Sequence, residues 1–195
     1  TARGHRQIVA AAILALAAGW AESVAAEPPA TIDPGKLTVG FNGDMPMTSW
    51  VDDKLIGTDG ALLAMIAGNI GLAVKPQQME WSALIQATRQ GSVDIMLGSM
   101  GWTAERSEVM LLTDPIYYFG TFLLQNEATS YSTFADMEGR SVGTVTGFTL
   151  VPELKSVPGI GEVKLYDTSD GVMRDIIAGR LDMAVLDPGL VQYAL

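Results

Sequence analysis

Two ten-residue segments that lie 88 positions apart decide the fold: QGSVDIMLGS at Gln90–Ser99 and AGRLDMAVLD at Ala178–Asp187. Each segment has a glycine that ends a helical stretch, an apolar–Asp pair and an apolar run typical of a buried strand. The matched positions are Gly91 with Gly179, Asp94 with Asp182 and Ser99 with Asp187. This recurrence of helix, glycine break and strand predicts two similar units in one chain.

Strands and helices alternate along the rest of the sequence. We predict strands at 37–41, 72–79, 93–97, 141–145, 162–166 and 183–186, and helices at 59–68, 82–90, 147–154 and 170–178. This order predicts an α/β fold with a largely parallel sheet in each unit. The apolar segment 112–125 (LTDPIYYFGTFLLQ) is predicted to cross as a strand between two lobes, at 27–119 and 120–195.

The first 26 residues have the three-part layout of a secretory signal peptide. Arg3 and Arg6 form a basic start, Ile8–Trp20 is uncharged and mostly apolar, and Val24–Ala26 offers small residues for cleavage. The alternative is a membrane anchor, but the apolar run is shorter than the roughly 20 residues that a membrane span needs. We therefore expect a mature chain that begins near Glu27 and is exported to the periplasm.

Composition excludes several classes of function. The 195-residue chain has no cysteine, and its one histidine, His5, lies inside the predicted signal peptide. A mature chain without Cys or His excludes Ser-His-Asp and Cys-His catalysis and the usual zinc sites, so we expect neither a cofactor nor a metal. The formal net charge of −10 argues against nucleic acid or an anionic membrane as a partner.

The two matched segments also predict a ligand cleft. In open α/β sheets, ligands bind outside the carboxyl ends of the strands. Ser99 and Asp187 both come just after such ends, so we expect them to face one cleft if the lobes face each other. Asp94 and Asp182 lie near the strand starts, away from that cleft, and we interpret them as structural rather than as a catalytic carboxylate pair.

The segment after the strand at 93–97 combines features of an anion site. Gly98 and Gly101 permit close backbone approach, Thr103 is a candidate helix N-cap, and Arg106 falls in the first helical turn. The planar guanidinium suits bidentate binding of a carboxylate. A surface ion pair with Glu105, Glu108 or Asp114 would use the same side chain, and the local pattern alone does not choose between the two roles.

Nearly all of the chain after the signal peptide resembles the periplasmic solute-binding proteins of the amino-acid ABC-importer type (bacterial solute-binding protein family 3). The resemblance rests on the segments GFNGDMP (40–46), IGTDGALLAMIA (56–67), WSALIQATRQGSVDIMLGSMGWTAERSEVMLLTDPIYY (81–118), EGRSVGTVTGFT (138–149) and AGRLDMAVLD (178–187). It implies a two-lobed, type II periplasmic-binding-protein-like fold. It also implies a monomeric binding protein, not an enzyme, that serves an ABC permease in the inner membrane. The family normally continues beyond residue 195, so the C-terminal part of the fold is expected to be missing.

The resemblance also implies roles for individual residues. The T-x-E-R arginine, Arg106, would clamp the ligand carboxylate with help from the Gly101 N–H and from Thr149. Asp187 and the Ser99 backbone carbonyl would bind the ligand amine. The remaining expected contacts are the pocket walls: Trp81, Met45, which replaces a usual aromatic, and Asn42. Trp102 stands where a smaller aliphatic residue is common, and its role stays open.

Two alternatives share this scaffold. Secreted cyclohexadienyl (prephenate/arogenate) dehydratases resemble these binding proteins and would need a cleft carboxylic acid that donates a proton. The candidate acids are Asp44, Glu80, Glu153 and Asp187. The chain would also suit the ligand-binding domain of a membrane receptor. The sequence does not name the ligand in any of these cases.

Overall fold

The computed structural model describes residues 28–195, so the predicted signal peptide lies outside the described residues. This part of the chain forms an α/β structure with two main sheets and a small hairpin, which confirms the predicted fold class. Across residues 28–195, none of the helices has the length and apolar character that crossing a membrane requires.

The first unit is built on a parallel three-stranded sheet with strand order β4-β1-β5. Its strands are β1 (Lys36–Phe41), β4 (Ala73–Gln78) and β5 (Ile95–Met96), and β2 (Ser49–Val51) and β3 (Lys54–Ile56) form a separate antiparallel hairpin. Its helices are α1 (Thr58–Asn69) and α2 (Trp81–Arg89), and α3 (Ala104–Val109) follows.

The second unit is a four-stranded sheet with order β6-β9-β7-β8, in which only β6 runs antiparallel to its neighbour. Its strands are β6 (Phe122–Gln125), β7 (Ser141–Val145), β8 (Glu162–Tyr166) and β9 (Met183–Leu186). Its helices are a 3₁₀ turn (Phe134–Met137), α4 (Val151–Ser156), α5 (Ser169–Ile177) and α6 (Pro188–Ala194).

One apolar cluster joins the two units. Trp81 and Leu84 of α2 are buried together with residues of β7, α5 and β9, including Val145, Val172 and Leu186. Two further clusters lie within the units, one beneath α1 and one beneath α4. Burial of apolar area therefore holds α2 of the first unit against the second sheet, and this fixes the loops at the carboxyl ends of the strands relative to one another.

Several predicted elements differ from the observed ones. The helix predicted from Gly147 begins at Val151 because Gly147 has φ +86° and Pro152 favours the first helical turn. The crossing strand predicted at 112–125 is a strand only at Phe122–Gln125, since the residues before it pair with neither sheet. The β2–β3 hairpin was not predicted. The lobe boundary at 119/120 stays a prediction.

Asp94 and Asp182 have the structural role predicted for them. The Asp94 carboxylate accepts hydrogen bonds from the N–H groups of Ile32 (2.9 Å) and Thr38 (2.7 Å). The Asp182 carboxylate accepts from the N–H and the Oγ of Ser141, both at 2.8 Å. In each unit, an aspartate beside one strand thus fixes the start of the neighbouring strand, β1 or β7, and this equivalence supports the internal repeat.

We expect Asp182→Ala to lower the free energy of unfolding at pH 7 by about 1–2 kcal/mol, because it leaves the Ser141 N–H without its acceptor. The hydrogen bonds from Ser141 hold the pKa of Asp182 below its usual value. The ionised Asp182 carboxylate therefore stabilises the folded chain at pH values above its unfolded-state pKa. This stabilisation is lost as the pH falls through the folded-state pKa. Chemical denaturation at pH 7 and pH 3.5 measures this, with the exposed Glu127→Gln as control. If the difference in free energy of unfolding between the wild type and Asp182→Ala is as large at pH 3.5 as at pH 7, the proposed role of the Asp182 carboxylate is wrong.

Candidate functional site

The predicted site residues follow the carboxyl ends of the parallel strands in both units. Arg106 lies at the start of α3, where the Thr103 side chain accepts a hydrogen bond from the Arg106 N–H (3.1 Å) and forms the predicted N-cap. Its guanidinium donates from Nη1 to the Gly101 carbonyl and from Nη2 to the Gly147 carbonyl, each at 2.7 Å. The side chain therefore connects the loop after β5 with the loop after β7.

In the part of the chain that the structure describes, no carboxylate neutralises the charge of Arg106. Among residues 28–195, no aspartate or glutamate forms an ion pair with Arg106, so the surface ion pair left open by the sequence is not formed. Burial lowers the pKa of the half-buried guanidinium below its usual value, and the nearby charge of Glu105 opposes this shift. The guanidinium is thus a partly desolvated cation, held by two carbonyl oxygens.

Gly101 and Thr149 lie beside Arg106. A Cβ placed on Gly101 would be 3.1 Å from Thr149 Cγ2, 3.6 Å from Thr149 Oγ1 and 3.7 Å from Arg106 Nη1. The absence of a side chain at Gly101 is what allows the loop after β7 to approach this closely. The structure therefore brings together the three residues for which a carboxylate-binding role is predicted.

Ser99 is hydrogen-bonded to two residues that the sequence did not assign to the site. Its Oγ lies 3.1 Å from Asp59 Oδ2 and shares a short hydrogen bond with the Tyr117 hydroxyl, which in turn lies 3.2 Å from Asp59 Oδ1. The helix predicted to begin at Asp59 begins at Thr58 with Gly57 as its N-cap, so Asp59 lies in the first turn of α1. These contacts join residues 40 and 58 positions apart, so no local pattern could have revealed them.

Two aspartates lie partly buried in the same region. Burial raises the pKa of Asp187 to about 6, and the nearby charge of Asp44 adds to the shift. Asp44 accepts hydrogen bonds from Asn42 Nδ2 (2.9 Å) and Ser169 Oγ (2.6 Å). Burial also raises the pKa of Asp44, an effect opposed by Ser169 and reinforced by the charge of Asp170. Within residues 28–195, neither Asp44 nor Asp187 forms an ion pair with a Lys or Arg.

Trp81 is buried between the two units. Its Nε1 donates to the Gly147 carbonyl (3.4 Å), and its ring meets Phe148 edge-on, with centroids 6.1 Å apart and an interplanar angle of 83°. A Cβ on Gly98 would lie 2.7 Å from the Trp81 ring and 3.2 Å from Asn42 Oδ1. Trp81, Gly98 and Asn42 are therefore packed together.

The other proposed wall residues differ in their surroundings. Asn42 Oδ1 is buried and has no hydrogen-bond partner among the described residues. Met45 is half-buried in the turn before β2, and its neighbour Met47 contacts the start of α6, since a Cβ on Gly189 would be 3.4 Å from Met47 Sδ. Trp102 is 64% exposed and so belongs to neither the core nor the packed wall.

A cavity of about 180 Å³ lies beside Trp81 and opens between the units. It is lined by Asn42, Gly43, Asp44, Gln78, Glu80, Trp81, Val145, Asp167, Thr168, Ser169 and Asp170. Of the predicted site residues it includes Asn42 and Trp81 only. A second cavity, of about 230 Å³, lies against β6 and contains none of them. Across residues 28–195, no group of three or more Asp, Glu, His or Cys side chains is arranged to hold a metal ion.

The sequence matches the profile of the bacterial extracellular solute-binding proteins, family 3, over residues 37–176. The chain belongs to this family. Among curated relatives, it is 28% identical over 184 residues to the probable amino-acid-binding protein YxeM of Bacillus subtilis, covering 91% of this chain and 68% of the relative. It is 24% identical over 155 residues to the arginine-binding extracellular protein ArtP of the same species, covering 78% and 61%. The chain thus spans 61 to 68% of the length of these two relatives.

Solved structures that are similar to this chain are also amino-acid-binding proteins. The arginine-bound form of a truncated arginine-binding protein, ArgBP from T. maritima, matches with a TM-score of 0.75 at 26% identity, covering 82% of this chain and 76% of that chain. An ancestral arginine-binding protein bound to glutamine matches with a TM-score of 0.76 at 26% identity, covering 83% and 73%. The two-lobed, periplasmic-binding-protein-like fold is confirmed, and membership in a family of binding proteins favours this interpretation over the dehydratase alternative.

We expect Asp187→Asn to raise the free energy of unfolding of the ligand-free protein at pH 7.5 by about 1–3 kcal/mol. The pKa of Asp187 is about 6 in the folded chain, above its unfolded value of about 3.9. Ionisation of Asp187 therefore lowers the stability of the wild type as the pH rises from about 4 through 6, and the asparagine variant lacks this contribution. Urea denaturation at pH 4.5 and pH 7.5 tests this. If the free energy of unfolding changes equally between pH 4.5 and pH 7.5 in the wild type and in Asp187→Asn, the raised pKa of Asp187 is wrong.

Proposed function

We propose that this chain is the extracytoplasmic substrate-binding component of an ABC importer. It would bind an amino acid or a similar small carboxylate in the cleft between its two units. The observation that carries the proposal is the Arg106 guanidinium, which is partly desolvated, lies between loops of both units and has no carboxylate partner among residues 28–195. A ligand carboxylate would supply the missing negative charge.

The arrangement of charges supports an amino acid rather than a simple anion. Arg106 would bind the α-carboxylate, with the Gly101 N–H and the Thr149 hydroxyl beside it. Asp187 would bind the α-ammonium together with the Ser99 backbone carbonyl. A zwitterion would then meet one cation and one anion of opposite sign, each partly buried, and low polarity strengthens both interactions. Trp81, Met45 and Asn42 would form the walls around the ligand side chain.

Closure of the two units around the ligand would provide the signal to the permease. Contacts between the units already include the Arg106–Gly147 and Asp44–Ser169 hydrogen bonds. A ligand held by both Arg106 and Asp187 would favour the closed arrangement by its contacts to both sides. We place the lobe boundary near 119/120, and propose a monomeric, periplasmic protein that delivers its ligand to an inner-membrane permease.

Arginine and glutamine are the first ligands to test, because arginine is named for the relative ArtP and both are bound in similar solved structures. A thermal-shift screen of the twenty amino acids, followed by calorimetry, measures binding by the purified protein. Stabilisation by at least one amino acid is expected. If no amino acid stabilises the wild-type protein, the proposed function is wrong.

We expect Arg106→Ala to weaken binding of the amino acid found in this screen by about 100-fold, since a charge-assisted bidentate contact is lost. Arg106→Lys should recover only part of the affinity, because a lysine cannot form the planar fork. The exposed Arg174→Ala in α5 is the matched control and should bind like the wild type. Full affinity in Arg106→Ala, measured by calorimetry, would exclude the carboxylate-clamp role.

We expect ligand affinity to be constant between pH 7 and 8 and to fall about tenfold by pH 5. The pKa of Asp187 in the ligand-free protein is about 6, and only the ionised carboxylate attracts an ammonium group. Asp44, whose pKa is also raised, and Tyr117 are the neighbouring titratable groups. Calorimetry of the wild type and of Asp187→Asn at pH 7.5 and pH 5 measures how much of the change in ligand affinity is due to Asp187. An affinity that does not change between pH 7.5 and pH 5 contradicts this role.

A further inference from the structure

We propose that Asp59 and Tyr117 are positioning residues that hold Ser99 in its ligand-binding conformation and so give the cleft its selectivity for an α-amino group. This inference rests on the proposed function and adds two residues to its ammonium site. Asp59 comes from the first turn of α1, Ser99 from the loop after β5, and Tyr117 from the segment between the two sheets. Ser99 Oγ lies within hydrogen-bonding distance of the Asp59 carboxylate and of the Tyr117 hydroxyl, and the Tyr117 hydroxyl also lies within hydrogen-bonding distance of Asp59.

The Asp59 carboxylate is the centre of this network. The residue is only 8% exposed, and its oxygens lie 3.1 Å from Ser99 Oγ, 3.3 Å from Thr58 Oγ1, and 3.2 and 3.3 Å from the Tyr117 hydroxyl. It also lies in the first turn of the twelve-residue helix α1, where a negative charge is favourable. Ser99 and Tyr117 have one hydroxyl proton each, so the arrangement that uses both has Tyr117 donating to Ser99 Oγ, with Ser99 and Thr58 donating to Asp59. These contacts restrain the buried carboxylate and the Ser99 side chain.

The backbone of Ser99 requires such an anchor. Its φ of +56° is in the left-handed region, which residues other than glycine occupy rarely and at an energetic cost. Gly98 immediately before it also has a positive φ, of +134°. The hydrogen bonds to Asp59 and Tyr117 use the Ser99 hydroxyl, so the side chain fixes the backbone rather than contacting the ligand. The direction of the Ser99 carbonyl, the proposed ammonium acceptor, then depends on the network.

Tyr117 extends the network toward the second unit. Its hydroxyl is close enough to Asp187 for the charge of that residue to contribute to the raised pKa of Tyr117, for which burial is the largest cause. Tyr117 therefore contacts Ser99 directly and is electrostatically coupled to Asp187, the second proposed ammonium partner. It also belongs to the stretch that connects the two sheets, so the same hydroxyl joins the ammonium site to the inter-unit connection.

The test compares an amino acid with its analogue that lacks the α-amino group. The wild-type screen identifies the amino acid, and for arginine the analogue is 5-guanidinopentanoic acid. We expect Tyr117→Phe to weaken binding of the amino acid about tenfold and of the analogue less than twofold. A purely structural defect would weaken both alike. The neighbouring Tyr118→Phe, at an 89% exposed position, is the matched control and should change neither affinity.

A second pair of variants tests the role of the Ser99 backbone. Ser99→Ala keeps a Cβ at a positive φ but loses the hydroxyl, whereas Ser99→Gly adopts that φ without cost. We expect Ser99→Ala to lose about tenfold in affinity for the amino acid, and Ser99→Gly about threefold or less. Equal losses in both variants would mean that the hydroxyl contacts the ligand directly, which overturns the proposal.

The outcomes separate this inference from the proposed function. If the wild-type protein binds no amino acid, both are wrong. If the wild type binds an amino acid and Arg106→Ala weakens this binding as expected, but Tyr117→Phe leaves the preference for the α-amino group unchanged, the proposed function stands and the positioning network is wrong. Circular dichroism and thermal denaturation of each variant establish that it is folded at the temperature of the binding measurement.

Discussion

The carbonyl oxygen of Gly147 is the point on which the arrangement of the cleft depends. It accepts hydrogen bonds from Arg106 Nη2 at 2.7 Å and from Trp81 Nε1 at 3.4 Å. Both donors come from the first unit and the acceptor comes from the second. A displacement of the loop after β7 would therefore deprive both donors of the acceptor that they share. The apolar cluster around Trp81 and Leu84 supports the same contact, because it packs α2 against the second sheet.

The cleft combines a cation and several carboxylates that do not neutralise one another within the described residues. Arg106 is held by carbonyl oxygens, while Asp187 and Asp44 are partly buried without a basic partner. Such an arrangement lowers the stability of the folded chain, since burial disfavours both kinds of charge. In a binding site for a zwitterion, this cost would be offset when the ligand binds, because its carboxylate and its ammonium group would each pair with a buried group of opposite charge.

Away from the cleft, three ion pairs lie within the described part of the second unit: Arg140–Asp182, Lys164–Asp175 and Arg180–Asp175. Asp175 accepts hydrogen bonds from Lys164 Nζ at 2.8 Å and from Arg180 Nε at 2.8 Å, and its pKa is held well below its usual value, chiefly by Arg180. Asp94 and Asp182 likewise accept backbone N–H groups at the strand starts. Asp175 and Asp182 thus have basic partners, whereas Asp44 and Asp187 have none among residues 28–195.

The periodic and local features of the fold could be predicted from the amino-acid sequence. Alternating apolar strands and helices, the glycine breaks at 91 and 179, and the N-cap at Thr103 follow from residue-level propensities, and the structure confirms them. The paired roles of Asp94 and Asp182 were also readable, because a repeat places equivalent residues in equivalent environments. The start of α4 and the crossing segment before β6 were predicted incorrectly, since a positive φ at Gly147 and the pairing of strands both depend on distant neighbours.

The hydrogen-bond partners of Arg106 and the residues that surround Ser99 could not be predicted from the sequence and are seen only in the packed structure. A guanidinium beside Glu105 in sequence is equally suited to a surface ion pair, and the choice depended on Gly147, 41 positions away. Asp59 and Tyr117 reach Ser99 through loops from separate elements. Short-range preferences determine where the helices and strands form. Hydrogen bonds between residues distant in sequence form only after these elements have packed. The candidate site consists mainly of such long-range contacts.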